Sequence, residues 1–488
     1  MSDRGQPKPG DVAVYIERPI KLRRVLGIPG LYSAAYGNVG SSVYYALGVV
    51  AMSALGLTPA VLAFSGILFL FTALTYAEGA TMLPEAGGSG AFARRAFNDI
   101  VSFGSSWVLM LDYLVTIAIS AFSAANYLGH FIPILGEAPY NILTAIIIIA
   151  IFTGINITGI KESARLNVIM VVFGIITQVA IAVVGVMFII NIPTLIQNVH
   201  WGVAPSMHQL LFGLSISMIG YTGIETVANL GSETRQPGKK IPRTVVLVFG
   251  TVFLVYVFMS MTALSAYPVY QLDNNWVTDI AQKFLNDPIM GITQAFPENI
   301  QNVFGYFVGF LAVAILLIAT NAGIIGASRL TYFMGLRQQL PSFISSVSTR
   351  SRVPLKALLI IGVLAGALVL VGQVSIMADL YAFGAMLAYT MAHISVIALR
   401  VKEPELARPY KMPWNIKIRG KEIPVMAVLG GLATATTWFI VIWTHEYGRI
   451  VGFGWLIAGL IIYVVYRAIT KRPILGRLDI KTRVKIRR

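Results

Sequence analysis

Two glycine motifs of the same spacing interrupt long apolar segments of the sequence. Gly-Asn-Val-Gly begins at residue 37, and Gly-Tyr-Thr-Gly begins at residue 220. Glycine costs about 1 kcal/mol in a helix interior and permits non-helical dihedral angles. Backbone unwound at membrane depth is tolerated where it lines a cavity. Each motif therefore predicts a break in a membrane-spanning helix, beside a binding site.

Backbone groups at such breaks suit a zwitterionic ligand. N–H groups and the positive dipole end of the following half-helix attract a carboxylate, and freed carbonyls accept from an ammonium group. Close helix packing is the alternative explanation of each motif. We predict a binding site at these residues: Gly37, Asn38, Val39, Gly40, Ser41, Ser42, Gly220, Tyr221, Thr222 and Gly223.

Carboxylates within apolar segments are the next candidates, because charge at membrane depth is costly and usually functional. We predict that Glu225 and Asp112 serve in gating or proton coupling, and the alternative is a structural hydrogen-bonded carboxylate. Glu78 and Asp379 are expected to be solvated at the membrane interface. Two further residues form a possible cation site: Thr320 and Asn321.

Several chemistries are absent from the sequence. There is no cysteine, which excludes disulfides and thiolate chemistry, and the five histidines show no i, i+4 pairing typical of a zinc site. His393 is predicted to be a packed, hydrogen-bonded residue. No nucleotide-binding or hydrolase motif is found. We expect no enzyme activity, no cofactor and no metal.

The composition defines the elements that must hold these residues. Hydrophobic residues make up 56% of the 488 residues and charged residues only 12%. This composition predicts an all-α polytopic membrane protein with twelve transmembrane helices. The predicted spans are 27–55, 59–83, 100–128, 139–159, 166–190, 207–230, 244–268, 303–328, 355–372, 376–399, 424–443 and 450–469.

Basic residues indicate the orientation of these spans. With the N-terminus in the cytoplasm, only Lys283 and Arg449 of the 37 Lys and Arg residues lie outside. We therefore predict an integral protein of the cytoplasmic membrane with both termini cytoplasmic. Anionic lipid of the inner leaflet is a sufficient partner for the net charge of +16, and no nucleic-acid binding is expected. The polar N-terminal stretch has no apolar core, and we therefore do not expect it to be a cleavable signal peptide.

The matched breaks also predict an internal repeat, because interrupted spans in corresponding halves are typical of inverted-repeat transporters. The expected organisation is a cytoplasmic tail 1–26, a first repeat 27–190, a second repeat 207–400, a cytoplasmic connector 401–423, two additional helices 424–470 and a basic cytoplasmic tail 471–488. The segment 269–302 is predicted to be the longest external loop.

Several motifs resemble the amino acid–polyamine–organocation superfamily of transporters. YAEGATMLPEAGGSGAFARRAF (76–97) is similar to its loop after helix 2, and NITGIKESARLNVIM (156–170) to its helix 4–5 loop. GYTGIETVANLGSETRQPGKKIPR (220–243) resembles its helix 6. The stretches 326–341 and 399–413 are similar to the ends of its helices 8 and 10.

The resemblance implies a LeuT-like fold, with a 5+5 inverted repeat plus two C-terminal helices, helices 1 and 6 broken, and alternating access. The family's glycine-rich binding stretch matches Gly37, Gly40, Ser41 and Ser42, although a second glycine is more common where Ser42 stands. The aromatic residue that covers the substrate matches Tyr221, and an acidic residue matches Glu225. Proton-coupled members often carry a lysine in helix 5, but residues 166–190 contain none, and Gly174 stands near its expected place.

The leading functional prediction is a secondary transporter of amino acids, by symport or antiport, with a proton or sodium as possible coupling ion. A monovalent cation such as potassium is the alternative substrate, because Asp112, Tyr113 and serine hydroxyls suit a bare cation and these motifs also resemble potassium-carrying branches. A membrane enzyme or receptor is a third possibility without a supporting motif.

Overall fold

The computed structural model describes residues 26–85, 87–158, 161–348 and 353–475. Most of both predicted tails therefore lies outside the described residues. The helices are α1 Ile28–Val39, α2 Val43–Ala54, α3 Thr58–Met82, α4 Gly88–Ala96, α5 Asp99–Leu128, α6 Tyr140–Thr158, α7 Lys161–Phe188, α8 Ile192–Gln197, α9 Met207–Ser217, α10 Glu225–Asn229, α11 Pro237–Ala266, α12 Asp279–Gln282, α13 Pro288–Gln294, α14 Glu298–Leu336, α15 Leu355–Val369, α16 Val374–Lys402, α17 Val425–Thr444 and α18 Glu446–Ile469.

Two short antiparallel hairpins complete the described chain. They pair β1 Tyr270–Leu272 with β2 Asn275–Val277, and β3 Asn415–Ile418 with β4 Lys421–Pro424. The first hairpin lies in the predicted external loop. The second lies in the predicted cytoplasmic connector, where the hairpin holds Lys417 opposite Glu422.

Ten helical segments of the described chain are long and apolar enough to cross a membrane. One of them, Ile28–Met82, covers the predicted spans 1 and 2, and the predicted span 9 corresponds to the shorter helix Leu355–Val369. The protein is therefore a mostly helical, polytopic membrane protein. The exact count of twelve spans and the inverted-repeat arrangement remain predictions.

The helices differ in how they meet lipid. The apolar stretch of α5 is buried along its whole length, and α5 packs against α14 and α16 in the centre of the molecule. On α6, by contrast, Ile147, Ile151 and Ile155 are exposed at a spacing of four residues. This row forms one apolar helix face, the kind of surface that lipid covers. The central helices, with α1, α2, α9 and α10, therefore position the candidate site.

Buried ion pairs join the ends of the helices. Glu78 of α3 binds Arg400 of α16, with Oε2 of Glu78 2.8 Å from Nη2 of Arg400, and Asp99 binds Arg467 of α18 at 3.1 Å. Glu78, Asp99 and Arg467 are fully buried. The expectation that interface water solvates Glu78 was wrong, because its carboxylate is compensated by Arg400 instead.

Candidate functional site

The first break comprises residues 40–42, between α1 and α2. It is a tight turn, because Gly40 and Ser42 keep right-handed helical dihedral angles, with φ of −70° and −66°. The Ser42 N–H donates to the Val39 carbonyl at 3.1 Å, a bond that spans three residues instead of four. No backbone acceptor is found for the Ser41 N–H among the described residues. The turn thus releases only a few backbone groups.

Side chains from other helices donate hydrogen bonds to two backbone carbonyls at the first break. The Gln178 amide of α7 donates to the Gly40 carbonyl at 3.1 Å, and the Tyr256 hydroxyl of α11 donates to the Val39 carbonyl. The hydroxyl of Ser41 donates to the Asn38 carbonyl at 3.0 Å. The first break is therefore held largely from outside.

The second break comprises residues 222–224 and differs in conformation. After α9, a 3₁₀ turn runs from Met218 to Tyr221; Thr222 is then extended, and Gly223 has a φ of +119°. A Cβ atom at Gly223 would lie 2.9 Å from the Val39 nitrogen. Glycine is required here for both its dihedral freedom and its small size.

The two predicted motifs meet in the structure. The Asn38 side-chain amide donates to the Thr226 hydroxyl at 3.0 Å, beside the close approach of Gly223 to Val39. All ten predicted site residues are buried. The two breaks therefore form one continuous buried region.

Some predicted site residues have packing contacts. A Cβ atom would lie 2.9 Å from Ile318 at Gly37 and 2.7 Å from the Tyr36 ring at Gly40. The Tyr221 hydroxyl donates to the Leu62 carbonyl at 2.8 Å. The small residues of the first motif thus serve close helix approach as well as the turn.

Glu225 begins α10 and stabilises the second break. Its Oε2 accepts from the Gly223 N–H and from the Tyr389 hydroxyl of α16, both at 3.0 Å. Oε1 has no hydrogen-bond partner in the described part of the chain. This carboxylate therefore has one occupied and one available oxygen.

Asp112 lies on α5 and is fully buried. Neither carboxylate oxygen has a hydrogen-bond partner among the described residues. Hydroxyls lie on the neighbouring turn, where Thr116 donates to the backbone carbonyl of Asp112 at 2.9 Å and its hydroxyl contacts that of Tyr381 at 2.7 Å. A buried, unpartnered carboxylate beside several hydroxyls suits a cationic group.

The predicted cation site at Thr320 and Asn321 has other contacts. Thr320 donates to the Leu316 carbonyl of its own helix at 3.0 Å, and Asn321 accepts from Asn156 at 2.6 Å. The described residues contain no group of three His, Asp or Glu side chains that could hold a metal ion. These oxygens join α14 to α6.

Comparison with known proteins identifies the family. The family model described as "Amino acid permease" matches residues 26–466. The chain belongs to the amino acid permease family. This permease is therefore an integral membrane transporter, and the interpretation as a membrane enzyme is excluded.

Three relatives show the range of the family. The chain is 24% identical to the branched-chain amino acid permease of Bacillus subtilis, over 91% of this chain and 93% of the relative. It is 23% identical to the methylthioribose transporter of the same organism, over 96% and 98%. It is 25% identical to the vacuolar cationic amino acid transporter 4 of Arabidopsis thaliana, over 79% of this permease and 65% of that longer protein.

Sequence reasoning missed several residues of this permease. Gln178, Tyr256 and Tyr389 contact the breaks from α7, α11 and α16, and they carry no motif. The available signal was that Gln178 and Thr177 are the only polar side chains in the apolar stretch 168–188. Gly174, near the place of the family's helix 5 lysine, packs against Ile315 instead.

Two histidines, His393 and His445, are buried and form hydrogen bonds with side chains of other helices. His393 is buried between Thr72 and Thr75, with hydrogen bonds of 3.1 and 2.9 Å, so its predicted structural role is confirmed. The expected interface solvation of Asp379 was wrong. Its carboxylate is largely buried and binds Nδ1 of His445 at 2.8 Å, and His445 in turn contacts Ser215.

Proposed function

We propose that this permease moves amino acids across the cytoplasmic membrane as a secondary active transporter. The observation that carries the proposal is the meeting of two broken helices, where Gly223 lies against Val39 and Asn38 binds Thr226. Broken spans in corresponding halves are typical of inverted-repeat transporters with a central site. Residues 27–190 and 207–400 are the two repeats in this proposal.

The first break binds the substrate carboxylate in this mechanism. The Ser41 N–H, without a backbone acceptor, and the N-terminus of the twelve-residue helix α2 favour an anion. The Ser42 hydroxyl contacts the Tyr45 hydroxyl at 2.8 Å and lies at the same turn. The ammonium group binds carbonyls of Gly220 to Gly223.

Alternating access requires movement, because the site residues are buried in this conformation. Glu225 has the geometry of a gate, since it joins the second break to Tyr389 of α16. Asp112 is the second gating or coupling residue. Protons and sodium ions are the candidate coupling ions, because both bind a carboxylate more readily than a neutral side chain.

A monovalent cation such as potassium is the second candidate substrate. Both Asp112 carboxylate oxygens are buried and have no hydrogen-bond partner among the described residues, and the Thr116 hydroxyl, one turn away, binds the Asp112 carbonyl and contacts Tyr381. In this alternative, Asp112 and the hydroxyl oxygens replace the water around the ion.

Binding and uptake experiments separate the two candidates. The purified protein is heated with single amino acids in sodium-free, potassium-free buffer, and separately with potassium, sodium or choline chloride. Stabilisation by an amino acid, followed by its uptake into proteoliposomes, is the expected result. Stabilisation by potassium alone, lost in Asp112→Asn, contradicts amino acid transport and favours the cation.

The proposed orientation places both termini in the cytoplasm and the basic residues against anionic lipid. The chain contains no cysteine, so single cysteines can be labelled without background. In intact cells, an impermeant maleimide is expected to label Gln271→Cys in β1 and to leave Ser342→Cys unlabelled. Both native side chains are exposed. The opposite pattern would reverse the orientation.

A further inference from the structure

The side-chain amide of Gln178, on α7, connects α1 to the first break. Its nitrogen donates to the Gly40 carbonyl at 3.1 Å, and its oxygen accepts from the Tyr36 hydroxyl. Gln178 is fully buried. The side chain therefore acts as donor and acceptor at the same time, on both sides of the point where α1 ends.

The contacts of Tyr36 extend this connection to a third helix. A Cβ atom added at Gly40 would lie 2.7 Å from the Tyr36 ring, so the ring packs closely against the turn. Tyr36 also stacks on Tyr32, with ring centroids 5.4 Å apart, and Tyr32 donates to Thr251 of α11 at 3.0 Å. The amide of Gln178 thus ends a chain of contacts that runs from α11 through α1 to α7.

We propose that Gln178 is a positioning residue that holds the first break in its compact turn during transport. The inference rests on the proposed function in one respect, namely that the turn is part of the substrate site. Without Gln178, the Gly40 carbonyl would lose this donor in a buried region, and the turn would open more often. Because an amide does not ionise, this hold is independent of pH.

Substitution by glutamate gives the sharpest test. A protonated glutamic acid donates to the Gly40 carbonyl and accepts from Tyr36, as glutamine does, whereas an ionised carboxylate only accepts. In the described part of the chain, the titratable side chains that interact with Gln178 are Tyr36 of α1 and Tyr44 of α2, and tyrosine hydroxyls are ordinarily uncharged between pH 5 and 8. A new pH dependence in Gln178→Glu would therefore come from the introduced carboxyl group.

The first readout needs no knowledge of the substrate. Ser41→Cys places a single thiol at the turn of the cysteine-free chain, and its alkylation rate by a small neutral reagent measures opening. The rate is divided by that of a free thiol at each pH. Gln178→Met in this background is expected to accelerate normalised labelling about tenfold at every pH. Gln178→Glu is expected to label at the parent rate at pH 5, and faster only where rising pH ionises the introduced carboxyl group.

Thr177→Val is the matched control, since Thr177 is buried on the same helix and donates only to its own helix at Phe173. It is expected to label at the parent rate. Equal labelling of parent and Gln178→Met overturns the proposal, and so does a Gln178→Glu variant that labels as fast as Gln178→Met at every pH, because its protonated form would then fail to hold the turn.

The second readout is uptake of the amino acid found by the thermal screen, with Ser41 restored. Gln178→Met is expected to lower the maximal rate about tenfold, and Gln178→Glu to recover at pH 5 relative to the parent. If labelling responds as expected but no amino acid binds the parent, the proposed substrate is wrong and the role of Gln178 in the turn stands. If the parent transports amino acids and Gln178→Met transports equally well, the positioning role is wrong.

Discussion

The two breaks are built in opposite ways. The first break keeps right-handed helical dihedral angles. The side chains of Gln178 and Tyr256, on helices distant in sequence, donate hydrogen bonds to carbonyls at this break. The second break contains the left-handed residue Gly223, whose N–H is taken by Glu225 only two residues later. The first turn is therefore held mainly by side chains of α7 and α11, whereas the second is held by its own Glu225 carboxylate together with Tyr389 of α16.

This difference separates the effects of mutation. At the second break, replacement of Gly223 strains the backbone itself, because a positive φ is unfavourable for residues other than glycine. At the first break the backbone is ordinary, and a side chain there acts on its neighbours. Helix movements that displace α7 or α11 reach the first break directly, which makes it the more adjustable of the two.

The largest effect is expected from Gly223→Ala, which tests the local construction of the second break. Alanine at this φ costs about 1–3 kcal/mol, and its Cβ would also meet the Val39 nitrogen at 2.9 Å. Uptake should be abolished, and the unfolding temperature in detergent should fall by several degrees.

Gly40→Ala is the matched comparison at the first break. Its φ of −70° suits alanine, although the new Cβ must displace the Tyr36 ring. A smaller loss of stability than in Gly223→Ala is expected. If Gly40→Ala destabilises the protein more, the contrast between the two breaks is incorrect.

The sequence predicted the breaks because glycine at membrane depth is informative by itself. It did not predict that the first break is so compact, because the compactness depends on Gln178 and Tyr256, which are 138 and 217 residues from their partners. The expected solvation of Glu78 failed for the same reason. Its partner Arg400 lies 322 residues away, and only the packing of α3 on α16 brings the two together.

An intermediate effect is expected from Glu225→Gln. Glutamine can still accept from the Gly223 N–H and the Tyr389 hydroxyl, so the second break and substrate binding should persist. Glutamine lacks the negative charge with which a gating carboxylate would bind alternate partners. A hydrogen bond to a charged group is stronger than one between neutral groups by about 1 kcal/mol. We expect uptake to slow roughly five- to tenfold and its pH dependence to flatten.

A binding titration beside proteoliposome uptake at several pH values tests this expectation. Loss of binding would make Glu225 a direct substrate ligand. Unchanged uptake at every pH would leave it a structural carboxylate only. Glu225→Ala, which removes the acceptor for Gly223, should also lower the unfolding temperature, and this distinguishes the loss of charge from the loss of the hydrogen bond.

The smallest effect on transport is expected at Asp287, in the loop that covers α2, where a Cβ atom at Gly48 would lie 2.6 Å from the Leu285 carbonyl. Burial raises the pKa of Asp287 from its ordinary 3.8 to about 6. The folded protein therefore binds the proton more tightly than the unfolded chain, and stability from this group is complete below about pH 4 and lost as the pH rises through 6. Asp287→Asn cannot ionise, so it should exceed the parent in unfolding temperature by a few degrees at pH 8 and match it at pH 4. Asp279 and Lys283 of the same loop titrate in both proteins, so the difference between the two curves isolates Asp287.

Uptake at pH 7 should not change, because the loop covers α2 without touching either break. If uptake instead falls with the variant, the cover over α2 takes part in transport, and the first break is controlled from this loop as well as from α7 and α11.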